Sequence, residues 1–222
     1  MDTFLPSGHQ TSLQAFSNIN TQSQEQILRY GKIRRLDRHQ PIFKQGEAAE
    51  HFYLVTCGLV KLTRLTEDQQ SHLLDLIAPG ESIGLVLMQE KLQIYPISAE
   101  CLSPTETVML HRDFFFKIWK ESPNLFQYGS KQIHKRLEHF QNGLCMHNRT
   151  LTERLAHLLT EKIYPLKNTV YLTRRDLAEC LGSSTESVIR ILSLWTQQKI
   201  ISTINHQIII HDLERLQKLW KK

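Results

Sequence analysis

The chain has 222 residues, 41% apolar and 22% charged, the balance of a globular protein long enough for two hydrophobic cores. No apolar run approaches the roughly 20 residues of a membrane span, and the opening residues lack both the basic start and the apolar centre of a secretion signal, so a cytoplasmic location is expected. The formal charge of +5 is uneven: residues 1–110 hold 9 Lys and Arg against 12 Asp and Glu, and residues 111–222 hold 18 against 10.

Four cysteines, Cys57, Cys101, Cys145 and Cys180, lie far apart in the chain. No pair has the spacing of a zinc or iron–sulfur ligand run, so inert thiols are expected and a metal site is not. Residues 1–30 read as a polar tail with one or two short helices. From Ile33 to Leu110 the pattern changes to short apolar runs, such as Phe52-Tyr53-Leu54-Val55 and Leu73-Leu74-Asp75-Leu76-Ile77. Gly46, Gly58, Gly80 and Gly84 fall at the turns between them, which predicts an antiparallel barrel or sandwich.

Ser122-Pro123 is a helix start, with Ser as cap and Pro in the first turn. Phe126, Ser130, Ile133, Leu137, Phe140, Leu144, His147 and Leu151 then recur at alternating steps of four and three. So narrow a heptad seam between charged flanks predicts a helix that pairs with a second copy of itself. Gly129 and Gly143 should weaken that helix, by roughly 1 kcal/mol each relative to Ala. Thr150 to Ile163 is predicted to be a further helix, ended by Pro165.

The most informative stretch is Leu172–Leu192, LTRRDLAECLGSSTESVIRIL. Thr173 is placed to cap a short helix, with Asp176 as the second half of a capping box and Gly182 as a left-handed terminator. Ser183 or Ser184 then caps a second helix with Val188, Ile191, Leu192 and Trp195 on its inner face. That is a helix-turn-helix. Two β-branched runs, Lys199–Ser202 and Gln207–Ile210, flank a predicted turn at 203–206, and the hairpin makes this a winged helix. A last helix follows, capped by Asp212. The fold class is therefore α+β, divided as 1–121 (a β-roll), 122–148 (a dimerisation helix and hinge) and 149–222 (a winged helix-turn-helix).

The stretches FKQGEAAEHFYLVTCGLVKLTRL and IAPGESIGL resemble the β-roll of the cyclic-nucleotide-binding superfamily. With the winged helix behind it, the chain resembles the bacterial Crp–Fnr family of transcription regulators from about residue 25 to its end. The resemblance implies a homodimer on an inverted DNA repeat, with RNA polymerase as a further partner.

Glu186 and Arg190 share one face of the second helix, where Arg can donate to guanine and Glu can accept from cytosine, the ion pair between them orienting Arg190. In the family the matching pair reads a TGA-type core. Thr185 and Ile189 are the flanking base-reading candidates. They match neither the cyclic-AMP receptor nor the Fnr pattern, so the outer bases are not implied. Thr173, Arg174, Arg175 and Ser184 are the candidate phosphate contacts.

By the same resemblance an effector pocket would involve Gly84, Leu85, Tyr95 and Ser98. The Arg that would hold a cyclic phosphate is missing, since none occurs between Arg64 and Arg112. Cyclic AMP is therefore not expected to bind. An iron–sulfur cluster is not expected either, because the first cysteine is Cys57. The segment MQEKLQIYPISAEC looks like the haem-linked Dnr branch, with His9, His51 and His72 as candidate axial ligands. A cupin-type enzyme is disfavoured, because residues 33–110 contain no His-x-His pair. The alternative is a nucleotide- or haem-sensing module that acts through protein partners, which would leave Glu186, Arg190 and the basic half without a purpose.

Overall fold

The computed structural model describes residues 19–84, 93–164, 172–204 and 207–221, without the side chains of residues 139–140, 142–145, 147 and 207. Leu85, His9 and Pro165 lie outside the described residues, as do the side chains of Phe140 and Leu144; of the turn predicted at 203–206, Thr203 and Ile204 instead extend a strand, where they pair with Ile208 and Gln207, and 205–206 lie outside the described residues.

Helix α1 (Thr21–Tyr30) is capped by Asn20, whose side chain accepts the Ser23 N–H at 2.9 Å. It leads into two four-stranded antiparallel sheets. One contains, in order, β1 (Lys32–Leu36), β8 (Thr105–His111), β3 (His51–Cys57) and β6 (Ser82–Ile83). The other contains β2 (Pro41–Phe43), β7 (Ser98–Cys101), β4 (Val60–Leu65) and β5 (Ser71–Ile77). All four turn glycines in this region have positive φ. Gly58 is also sterically obligatory, because a Cβ there would fall 2.5 Å from the Pro104 carbonyl oxygen.

Strand β3 is buried on both faces, which is why its sequence runs apolar without alternation. Tyr53 and Val55 point into the roll, where Phe43 stacks on Tyr95 with ring centres 3.7 Å apart. Phe52 and Leu54 point outward into a second core beneath helix α2 (Arg112–Glu121), and Phe52 stacks on Phe115 at 3.9 Å.

Helix α3 (Pro123–His147) is capped by Ser122, as its sequence predicts. Leu125 and Tyr128 pack inward against α2 and the roll. Gly129 sits under Trp119: a Cβ there would lie 1.8 Å from the indole Cη2. The glycine predicted only to weaken the helix is thus the point where α2 and α3 cross. Asn148 terminates α3, and Leu151 belongs to the next helix, half-buried against the C-terminal core.

Helix α4 (Leu151–His157) starts from a capping box of Thr150 and Glu153. The single helix predicted for 150–163 changes geometry part-way, because Leu158–Ile163 is π-helical. Trp220 docks at this point, its indole N–H donating to the Thr160 hydroxyl at 3.0 Å, and wider turns of this kind let a side chain insert against the helix. Then come α5 (Arg174–Leu181), α6 (Thr185–Gln197), the hairpin β9 (Ile201–Ile204) and β10 (Gln207–Ile210), and α7 (Leu213–Trp220). The fold is the expected α+β arrangement of β-roll, long helix and winged helix-turn-helix.

Candidate DNA interface

Thr173 and Asp176 form a complete capping box at the start of α5. The Asp176 carboxylate accepts the Thr173 N–H and its hydroxyl, each at 2.7 Å, and the Thr173 hydroxyl oxygen accepts the Asp176 N–H at 3.2 Å. Gly182 ends the helix in the left-handed conformation, with φ 55° and ψ 47°. Ser184, not Ser183, caps α6, accepting the Ser187 N–H at 3.2 Å. These local devices set the sharp turn, and Val188, Leu192 and Trp195 bury the inner face of α6 against Leu155, Leu177 and Leu181.

The opposite face of α6 is left to solvent. Glu186, Ile189 and Arg190 are exposed and Thr185 is half-buried at its start, so the four base-reading candidates lie together at the N-terminal end of one helix. The expected ion pair between Glu186 and Arg190 is absent among the described residues. Holding two long exposed side chains in one geometry gains only a few tenths of a kcal/mol, which their rotamer entropy cancels. Both termini are thereby free to meet another molecule.

The phosphate candidates differ among themselves. Arg174 is half-buried, and Arg175 is exposed with its guanidinium 3.2 Å from Glu179. The Thr173 and Ser184 hydroxyls are engaged by Asp176 and Ser187.

On α3, Phe126, Ile133 and Leu137 are 58%, 50% and 54% exposed, a row of apolar side chains with no cover in the monomer. In the β-roll, Gly84 has φ 98° and Ser98 accepts the Gln45 N–H at 2.9 Å. Tyr95 is core: buried on Phe43, it donates its hydroxyl to the His51 carbonyl oxygen at 2.7 Å. Burial and the nearby Tyr53 push that hydroxyl well above the ordinary tyrosine range. His51 has its ring edge on His111, 5.5 Å between centres, and His72 is exposed on β5. Asp176 as the centre of the cap was legible in the sequence. Its contacts to Arg38 and His39 of the β-roll were not, because nothing local links residues 138 positions apart.

A cyclic nucleotide-binding domain model matches residues 33–122, and a Crp-like helix-turn-helix domain model matches residues 153–219, together more than half of the chain. The chain belongs to the Crp–Fnr family. It is 25% identical over 196 residues to the nitrogen fixation regulation protein FixK of Azorhizobium caulinodans, covering 82% of this chain and 76% of that one. It is 24% identical over 204 residues to the anaerobic regulatory protein of Bacillus subtilis, covering 82% and 81%. Among solved structures, FixK2 from Bradyrhizobium japonicum matches with a TM-score of 0.73 at 23% identity, covering 86% of this chain and 97% of that one. These relatives are transcription regulators rather than enzymes, and they fit the Fnr side of the Crp–Fnr family. No helix among the described residues is long and apolar enough to cross a membrane.

Proposed function

We propose that this Crp–Fnr regulator acts as a homodimer on an inverted repeat, each protomer reading a TGA-type half-site with Glu186 and Arg190, flanked by Thr185 and Ile189. The single observation that carries the reading is the pair of uncovered faces: a polar reading face on α6 and an apolar row on α3. Pairing two copies of α3 in parallel removes the apolar row from water and sets two reading helices side by side. Successive major grooves on one side of the duplex, about 34 Å apart, accept such a pair. Residues 1–121 serve as the regulatory β-roll, 122–148 as the dimerising helix and hinge, and 149–222 as the DNA-binding domain. Arg174 and Arg175 contact phosphates beside the capped end of α5. The cell's RNA polymerase is the expected downstream partner, in the cytoplasm.

Control passes through the β-roll, with Gly84, Leu85, Tyr95 and Ser98 as its effector-pocket residues, and cyclic AMP is not the effector. The described interior of the roll is filled by Phe43, Tyr53 and Tyr95, and Ile97 and Ser98 offer no cation for a phosphate.

Selection of bound duplexes from a random pool tests the function. Wild-type protein should enrich a two-fold symmetric site with TGA-type half-sites. Arg190→Ala should lose preference at one base pair per half-site, a discrimination of about 1–3 kcal/mol. Wild-type protein that enriches no sequence would refute the reading and favour a module acting through protein partners.

A further inference from the structure

Two ion pairs that join the β-roll to α5 run against the charge of their own halves. Residues 1–110 are net negative, yet they present Arg38 and Lys61 at the contact; residues 111–222 are net positive, yet they answer with Asp176 and Glu179. Arg38 bonds to the Asp176 carboxylate, whose side chain is only 2% exposed. Lys61 lies 3.1 Å from Glu100 in its own sheet and 3.1 Å from Glu179 on α5. From the other side, Lys162 in the π-helical turn reaches Asp75 at 3.0 Å and the Leu76 carbonyl oxygen at 3.3 Å. Leu59, Leu76 and Leu102 of the roll share one buried cluster with the helix-turn-helix core.

General attraction between an acidic and a basic half favours pairs of the Lys162–Asp75 sense, and the two pairs at α5 have the signs reversed. A local inversion, with one carboxylate almost wholly buried, marks a specific docking geometry. The turn that delivers Arg38 is held in place: His39 has φ 64°, an unfavourable conformation for a residue with a Cβ, and its N–H donates to the Cys101 carbonyl oxygen at 2.7 Å. The His39 ring lies 3.3 Å from Glu100 and 3.9 Å from Asp176, which links both ion pairs into one network. Throughout, the reading face of α6 stays open, with Glu186, Ile189 and Arg190 exposed.

We propose that this network is a latch that holds the helix-turn-helix against the β-roll in its DNA-reading arrangement, and that regulation acts by making or breaking it. The inference rests on the DNA-reading function proposed above. Opening the latch lets the two DNA-binding domains sample other orientations. Apparent affinity then falls in proportion to the fraction still arranged for reading. Asp176 ties the two functions together: it closes the cap of the helix beside the DNA backbone and accepts the β-roll's Arg38.

The test is Arg38→Ala in the full-length protein, with binding measured on a selected site across a range of salt concentrations. A loss of about fivefold or more is expected, with an unchanged salt slope, because no phosphate contact is removed. Without DNA, small-angle scattering should show a larger radius of gyration, while circular dichroism keeps its helical signal. Lys61→Gln, at a separate point of the network, should move affinity and radius in the same direction. Tighter binding by Arg38→Ala would mean that the contact inhibits, and would overturn the proposal. So would a salt slope lower by about one unit, which would make Arg38 a phosphate ligand, or affinity and radius both unchanged. If wild-type protein selects no DNA, the functional reading fails by itself; the radius of Arg38→Ala then decides the latch, and an unchanged value refutes it.

Discussion

Gly129→Ala separates two accounts of one residue by sign. If Gly129 were only a weak point in α3, alanine would stabilise the helix by about 1 kcal/mol. The structure gives the opposite expectation. The new Cβ would lie 1.8 Å from Cη2, 2.5 Å from Cζ3 and 3.0 Å from Cζ2 of Trp119. Carbon atoms at rest are about 3.5–4.0 Å apart, so the indole must retreat by about 2 Å. Its retreat is resisted on one side, because the ring is buried and packed 5.3 Å from the buried Phe115, while Phe126 lies 5.8 Å away. Overpacking of this degree belongs at the upper end of the usual range, about 3 kcal/mol. Set against the helix-propensity gain, a net loss of about 2 kcal/mol remains, or roughly 4–8 °C in melting temperature for a chain of this size. Thermal unfolding followed by circular dichroism measures it. Repeating the substitution in a Trp119→Leu background should recover most of the loss, as contacting residues couple. A Gly129→Ala protein that melts higher than wild type would refute the crossing-point account.

Leu137→Asp should leave the secondary structure intact, since Leu137 is already half exposed, yet convert the proposed dimer to monomer in sedimentation velocity; a dimer that persists would remove α3 as the seam. Burial pushes the Cys180 thiol up to about 12 and raises the Cys101 thiol too, whereas Cys57 is exposed. Alkylation at pH 7.5, mapped by peptide mass, should therefore mark Cys57 in the folded protein, and Cys101 and Cys180 only after denaturation. Equal labelling of Cys180 would contradict its burial. Burial, and then the neighbouring His111, lower the pKa of His51 below its ordinary 6.5. The unfolded chain thus binds the proton first, so stability should fall as pH drops below about 6.5 and level off once the folded pKa is passed. His51→Asn should flatten that part of the pH–melting curve, and an identical curve for both proteins would show that His51 is not the titrating group.

What the sequence shows of this molecule follows the range of its interactions. The helix-turn-helix is specified by contacts three or four residues long: Thr173 with Asp176, Gly182 at a left-handed end, Ser184 with Ser187. Each is a backbone requirement that few residue types meet, so spacing alone reveals it. Helix α2 escaped the strand-and-turn reading of the N-terminal region for the opposite reason. Phe114, Phe115 and Phe116 form a continuous apolar run, and Phe115 faces Phe52 of the sheet while Phe114 stacks on Tyr30. An apolar run that contacts elements on two sides loses the period that would mark it as a helix. The heptad steps run on to Leu151, but that residue lies past the expected hinge at 148 and is apolar for the sake of a different core.

The cross-domain contact shows why a correct local reading can still be incomplete. Asp176 is fully accounted for by its cap, and a residue with one sufficient reason gives no sign of a second. Arg38 stands just past a run with three other basic residues, Lys32, Arg34 and Arg35, and nothing in that run singles it out. Only the fold brings the two together, and only burial makes the pairing consequential: exposed, such a pair would be worth about 0–1 kcal/mol, whereas breaking a buried one strands a charge. The same reasoning bears on Glu186 and Arg190, which stand unpaired in solvent on α6. Their pairing in water would gain too little to hold them, so they remain available to a partner whose own polar edges exclude water, as a base pair in the major groove does.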